Sequence, residues 1–384
     1  MGGHALKKVI VSRISLDLYT KIKLDLIKQL GSILKLEFPI YIPNKNDFGD
    51  IDILYQNNNV NIIELLKSIY NPEEIILNGD VCSFSYVINI DNEIKYFQVD
   101  LIKCTNLEMS KFYFSYGDLG GIIGKMVHNI GLKFGSIGLW VHPDVQTINN
   151  FLILEENSEF KTNLELKLKT ELDLVNFESI TNAQFDNIIL TTNPQVICEY
   201  LDLDWKSWIT GFESKQQIFE WICMSKYFKV DLFKTLNSVD KQKINKRPMY
   251  SEFLQYIFKS EQSELNFSIK KDNSSNSSNS SNSFNSFNLQ LEFIKYFSKT
   301  KELENMIWKV CNNMIRKHKF SGLKFIEFGI KEKQISICID EFKKKLGLLN
   351  LDEFNNWLDT NNSTQCDIVI RDFIQEYLKN NTLY

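Results

Sequence analysis

Closely spaced cysteines are missing from this chain: its seven (Cys82, Cys104, Cys198, Cys223, Cys311, Cys338, Cys366) include no two within ten residues of each other. That excludes a local CxxC zinc-ligand pair. An odd, scattered, apolar-flanked set predicts reduced thiols in an intracellular protein, cytoplasmic or nuclear. Arginine is scarce too, with four residues (Arg13, Arg247, Arg316, Arg371) among 44 basic ones. A net charge of −4 gives no support to wholesale electrostatic binding of nucleic acid, so any such contact has to come from a local patch. No apolar run approaches the roughly 18 residues that a membrane span needs, and no signal-peptide h-region stands at the N-terminus. The expectation is no membrane partner. His128, His142 and His318 are isolated from one another and from any HExxH pattern, and are read as structural.

What the chain does have is bulk and one acidic pattern. At 384 residues, 43% hydrophobic and 13% aromatic, it can bury a sizeable core in two or three domains. In Asn46-Asp47-Phe48-Gly49-Asp50-Ile51-Asp52-Ile53-Leu54 two carboxylates stand at i and i+2 with apolar residues between and after them. On a strand, Ile51 and Ile53 enter a core while Asp50 and Asp52 share the other face. Paired ionised carboxylates repel, and a divalent cation is the usual neutraliser. Tyr96 to Ile102 reads as a second strand, with Phe97, Val99 and Leu101 on one face and Asp100 on the other. Three carboxylates from two neighbouring strands can bind two Mg²⁺ (or Mn²⁺) ions.

Gly-Asp-Ile-Asp-Ile, followed tens of residues later by an apolar-flanked strand Asp, resembles the nucleotidyltransferase superfamily typified by DNA polymerase β, over roughly the first third of the chain. The resemblance implies an α+β fold: a small mixed β-sheet core with helices on one face, followed by mostly helical regions. It also implies an NTP donor and Asp50, Asp52 and Asp100 as catalytic metal ligands. In that superfamily a Gly-Ser pair helps hold the nucleotide phosphates. Gly31-Ser32 is the one Gly-Ser upstream of Asp50, 18 residues before it, although Gly31 also suits the C-terminal cap of a helix that starts at Ser15.

After the first strand a helix over Ile62 to Tyr70 is expected, then a hairpin of Val81 to Ile90 and Glu93 to Cys104 around Asp91-Asn92. Ser115 to Lys125 fails as a Walker loop, because Leu119 stands where Gly is needed and Met126 where Ser or Thr is needed. It reads instead as a helix N-capped by Asp118, with Lys125 either near a nucleotide phosphate or on a closely packed helix face. This stretch, Gly131 to Trp140, Thr192-Asn193-Pro194-Gln195 and the Trp205 and Trp221 region also resemble an uncharacterised fungal and protist branch of nucleotidyltransferase-like proteins.

Composition divides the chain into a catalytic domain (1–145), a helical middle domain (146–272), a Ser/Asn linker expected to be disordered (273–288) and a helical C-terminal region (289–384). Lysines and aromatics between Lys226 and Arg247 fit either polynucleotide contact or a solvated helix face. The expected function is metal-dependent transfer of a nucleotidyl group from an NTP to an acceptor hydroxyl on an RNA end, a small molecule or a protein. The alternatives are a DxD glycosyltransferase, which needs no third strand Asp, and a degenerate transferase domain kept as a binding scaffold.

Overall fold

Apolar residues alternating with polar ones build the sheet that carries the acids. The computed structural model describes residues 3–56, 59–90, 93–172, 180–181, 183–234, 247–268, 289–348 and 350–381. The Ser/Asn run 273–288, the Asp91-Asn92 turn and Lys241, Lys243 and Lys246 lie outside them. The fold is α+β, the described residues being 57% helix and 16% strand. Two compact units divide the chain, Met1–Val141 with Ile189–Ser286 and His142–Ile188 with Phe287–Tyr384. Unlike the four consecutive segments expected from composition, each unit joins two separated stretches.

In the first unit a five-stranded mixed sheet has the order β2-β4-β7-β6-β5, formed by Lys35–Glu37 (β2), Asp50–Gln56 (β4), Ile75–Asn78 (β5), Val81–Ile90 (β6) and Glu93–Lys103 (β7). β4 and β7 run parallel, with Asp52 opposite Asp100 and Asp50 opposite Gln98; the β6/β7 hairpin sets Ser83 opposite Asp100. Ile51, Ile53, Phe97, Val99 and Leu101 are all within 1% of complete burial on the other face, packed with helices Leu16–Leu30 (α1) and Ile62–Ile69 (α2). Each such side chain contributes roughly 1.5–3 kcal/mol of burial. Ser15 caps α1 by accepting from Leu18 N–H, and Asn61 caps α2 by accepting from Ile63 and Glu64 N–H.

The sequence reading lacks several short elements. Ile14–Ser15 (β1) pairs with Asp47–Phe48 (β3), and just before it Val11 makes one parallel bridge to Tyr96. The Gly131 to Trp140 stretch folds into the hairpin of Leu132–Gly135 (β8) and Gly138–Val141 (β9). Ile188–Thr191 (β10) adds a third strand to it. The helices Leu107–Phe114 (α3) and Leu119–His128 (α4) follow β7. Asp118 precedes α4 as expected, but its carboxylate makes no cap bond there. It accepts instead from Tyr250 N–H and Arg247, at the start of the helix Pro248–Ser268.

The second unit is helical around Phe325, Cys338, Phe342, Phe354, Leu358, Cys366, Ile370 and Ile374. Lys319, 2% exposed there, donates to Leu358 C=O and pairs with Glu171 at 3.0 Å. All seven cysteines are free, five of them buried. Among the described residues no helix is long and apolar enough to cross a membrane.

Candidate active site

Period-two alternation brings Asp50 and Asp52 to one face of β4, and the parallel register sets Asp100 beside Asp52, one strand spacing of roughly 4.8 Å away in the backbone. All three side chains are half-buried. Loss of solvent, then the charges of Asp50 and Asp100, push the Asp52 carboxyl up to about 7, with Lys45 opposing. Burial also raises Asp100, against the hydrogen bonds it accepts from Ser83 and Gln98. Gln98 Nε2 stands 3.0 and 2.9 Å from the two Asp100 oxygens, and Asp50 Oδ2 accepts from Gly3 N–H at 3.1 Å. No hydrogen bond from the described residues reaches Asp52.

A pocket of about 100 Å³ opens over Asp50 and Asp52. Its apolar wall is aromatic: Tyr19 stacks on Phe48 with ring centroids 4.1 Å apart, and Tyr41 meets both edge-on. Burial, then Asp52, Tyr41 and Asp50, hold the Tyr19 phenol in its protonated form. Tyr41 keeps 39% of its surface exposed. It is placed by an extended stretch tied to the α3–α4 turn, where Ile40 N–H donates to Ser115 Oγ and Tyr116 N–H donates to Ile40 C=O. Asn44, in the left-handed region at φ 61°, turns the chain so that the Lys45 ammonium lies 4.6 Å from the Phe48 ring centroid.

Gly117 closes the pocket at φ +67°, and a Cβ there would stand 2.7 Å from Ile42 Cδ1. Gly117→Ala is therefore expected to cost about 1–2 kcal/mol from left-handed strain and crowding. A melting temperature equal to the parent's would contradict this.

The structure brings together Asp50, Asp52 and Asp100 but not the other predicted residues. Gly31 and Ser32 are exposed at the C-terminal end of α1. That end is roughly 22 Å along a 15-residue helix from the end beside β3. Gly31 is a helix cap, its N–H donating to Ile27 C=O. Lys125, half-buried on α4, is not among the pocket's lining residues. Asp47, three residues before Asp50, pairs with Arg13 at 2.6 Å. Of the Lys226 to Arg247 cluster, Lys226 lies over the Tyr200 and Tyr227 rings, Lys234 pairs with Asp231 and Arg247 with Asp118. Sequence reasoning missed Lys45, Tyr41 and Gln98. Only Gln98 carried a signal, since it lies two residues before Asp100 and therefore on its face. A larger hollow, about 390 Å³, lies in the second unit around Lys344, Phe373 and Tyr377 and holds none of the predicted residues.

Hard carboxylate oxygens are the donor type that Mg²⁺ or Mn²⁺ takes, and Asp52 is desolvated and, among the described residues, without a donor. The side chains are not gathered around one point: among the described residues no three His, Cys, Asp or Glu form a ligand cluster. Asp50 accepts from Gly3 N–H, and Asp100 from Gln98 and Ser83. No protein-family model matches the chain, and no curated protein matches it; the chemistry of the site rests on its own residues.

Proposed function

We propose that the protein is a divalent-metal-dependent nucleotidyltransferase of the DNA polymerase β-like superfamily, moving a nucleotidyl group from an NTP to an acceptor hydroxyl. The observation that carries this reading is the parallel pairing of β4 with β7, which sets a third acid, Asp100, opposite Asp52, whose pair with Asp50 lines an aromatic-walled pocket. A DxD glycosyltransferase has no need of that third acid. Bound Mg²⁺ or Mn²⁺ at Asp50, Asp52 and Asp100 supplies Lewis-acid stabilisation of the charge that grows on the phosphate and attacking oxygens. The chain's own residues do the rest. Asp52 gives up its proton as the site is loaded, and Lys45, in the pocket wall, offers positive charge to the NTP. The exposed ring of Tyr41 offers a flat face to the base.

Lys45→Met is expected to weaken NTP binding roughly tenfold, the loss of one charge-assisted contact, while leaving the melting temperature of the free protein unchanged. Titration with a fluorescent NTP checks it, and unchanged affinity would remove Lys45 from the site. The proposal itself is tested by incubating the protein with each labelled NTP and Mg²⁺ or Mn²⁺, then separating RNA, protein and small-molecule fractions. Label in one fraction names the acceptor class. NTP binding without transfer to any fraction would favour the binding scaffold.

A further inference from the structure

Residues Gly3 to Val9 lie across the polar face of the sheet, tied down through their backbone. Lys7, Lys8 and Val9 N–H groups donate to the carboxylate of Glu74, 6% exposed, at 3.0, 2.8 and 3.4 Å. Burial pushes the Glu74 carboxyl up, but these three donors outweigh it and hold the group below its ordinary range. Ala5 and Leu6 N–H donate to Gln98 Oε1 at 2.8 and 3.4 Å, and Gly3 N–H reaches Asp50. The approach at Gly3 admits no side chain: φ is +80°, and a Cβ would stand 2.4 Å from Gly49 O.

Gln98 is the joint between this segment and the acids. Its side chain is 2% exposed, and the two ends of its carboxamide are chemically opposite, one an acceptor and the other a donor. With two backbone donors aimed at one end, that end has to be the oxygen, so the end facing Asp100 has to be the N–H₂ group. We infer that Gln98 is a positioning residue for Asp100, held in its donating orientation by the backbone of Ala5 and Leu6. The Gly3–Val9 segment is thus part of the site, fixing the third acid in place before a cation arrives. A hydrogen-bonded partner of this kind orients a ligating carboxylate and raises the affinity of the site. The inference rests on the proposed metal-dependent reading.

The test uses the full chain and Mn²⁺, titrated by electron paramagnetic resonance, with the metal-free melting temperature measured alongside. Gln98→Met keeps the length of the side chain and removes both hydrogen-bonding ends. Its Mn²⁺ affinity is expected to fall roughly 10–100-fold in a folded protein. A merely structural role would lower the melting temperature and leave the affinity of the folded protein within about twofold of the parent, and that result overturns the inference. Should Gln98→Met not fold, the parent decides. Its Gln98 side-chain amide resonance, assigned through contacts with the Ala5 and Leu6 amides, is expected to shift on Mg²⁺ saturation; an unmoved resonance overturns the inference. Failure of the underlying reading is distinguishable, because a parent that binds no Mn²⁺, or an Asp52→Asn variant that binds it equally well, removes the metal site itself and the inference with it.

Discussion

Asp52→Asn should lower nucleotidyl transfer by roughly 10²–10³ or more while the protein stays folded, and Asp50→Asn and Asp100→Asn should do the same. Each substitution keeps the volume of the side chain and removes one negative charge from a face where three stand together. Neutralisation relieves repulsion in the metal-free protein and removes a ligand from the metal-bound one. The Mg²⁺-dependent rise in melting temperature should shrink or vanish in all three variants, since a ligand stabilises a protein only in proportion to its binding. Asp47→Asn is the control. Its carboxylate faces Arg13 across an exposed contact, worth about 1 kcal/mol or less, so that variant should keep both activity and the Mg²⁺ shift. Melting curves with and without Mg²⁺, together with turnover, measure both effects. A metal-dependent shift that survives in the three strand variants, or that is lost in Asp47→Asn alone, would place the cation elsewhere.

The strands were legible because their signal is local. Asp50 to Leu54 and Tyr96 to Ile102 alternate with period two, and that alone sorts Ile51, Val99 and Leu101 from Asp50, Asp52 and Asp100. The parallel pairing of these strands is not local, so the register that sets Asp52 against Asp100 is absent from the sequence pattern, and only the resemblance joined Asp100 to the pair. Loop residues carried no such signal. Lys45 and Tyr41 owe their directions to the left-handed Asn44 and to hydrogen bonds between Ile40 and the Ser115-Tyr116 turn, more than 70 residues apart in sequence. For Gly31-Ser32 the sequence offered two roles, and the one that the structure displays, the cap of a 15-residue helix, is the one with a local signal. Asp118 marked the correct helix start, but its carboxylate serves the start of the helix Pro248–Ser268, a recipient that no sequence window around it contains.

Between about pH 4 and pH 7 the metal-free parent should lose stability that Asp52→Asn keeps. The folded protein holds the Asp52 proton up to about pH 7, chiefly because the carboxylate is desolvated and then because Asp50 and Asp100 are near, whereas the unfolded chain releases it near 3.8. Across that window the folded state binds more protons than the unfolded one, so stability falls as pH rises, and the fall is complete once pH passes the folded value. A shift of this size corresponds to roughly 4 kcal/mol, or on the order of 10 °C in melting temperature. Asparagine has no proton to lose, so the parent and variant should melt close together at pH 4 and diverge by pH 8, with the variant higher. Other titrating groups act on both proteins and cancel in the difference. Saturating Mg²⁺ at pH 8 should close the gap from the parent's side, because the cation takes the place of the proton at Asp52. Melting curves at pH 4, 6 and 8, in chelator and in Mg²⁺, read all of this. Parallel curves for parent and variant in chelator would mean that Asp52 ionises as a solvated carboxylate, and the electrostatic case for a cation at this site would fall.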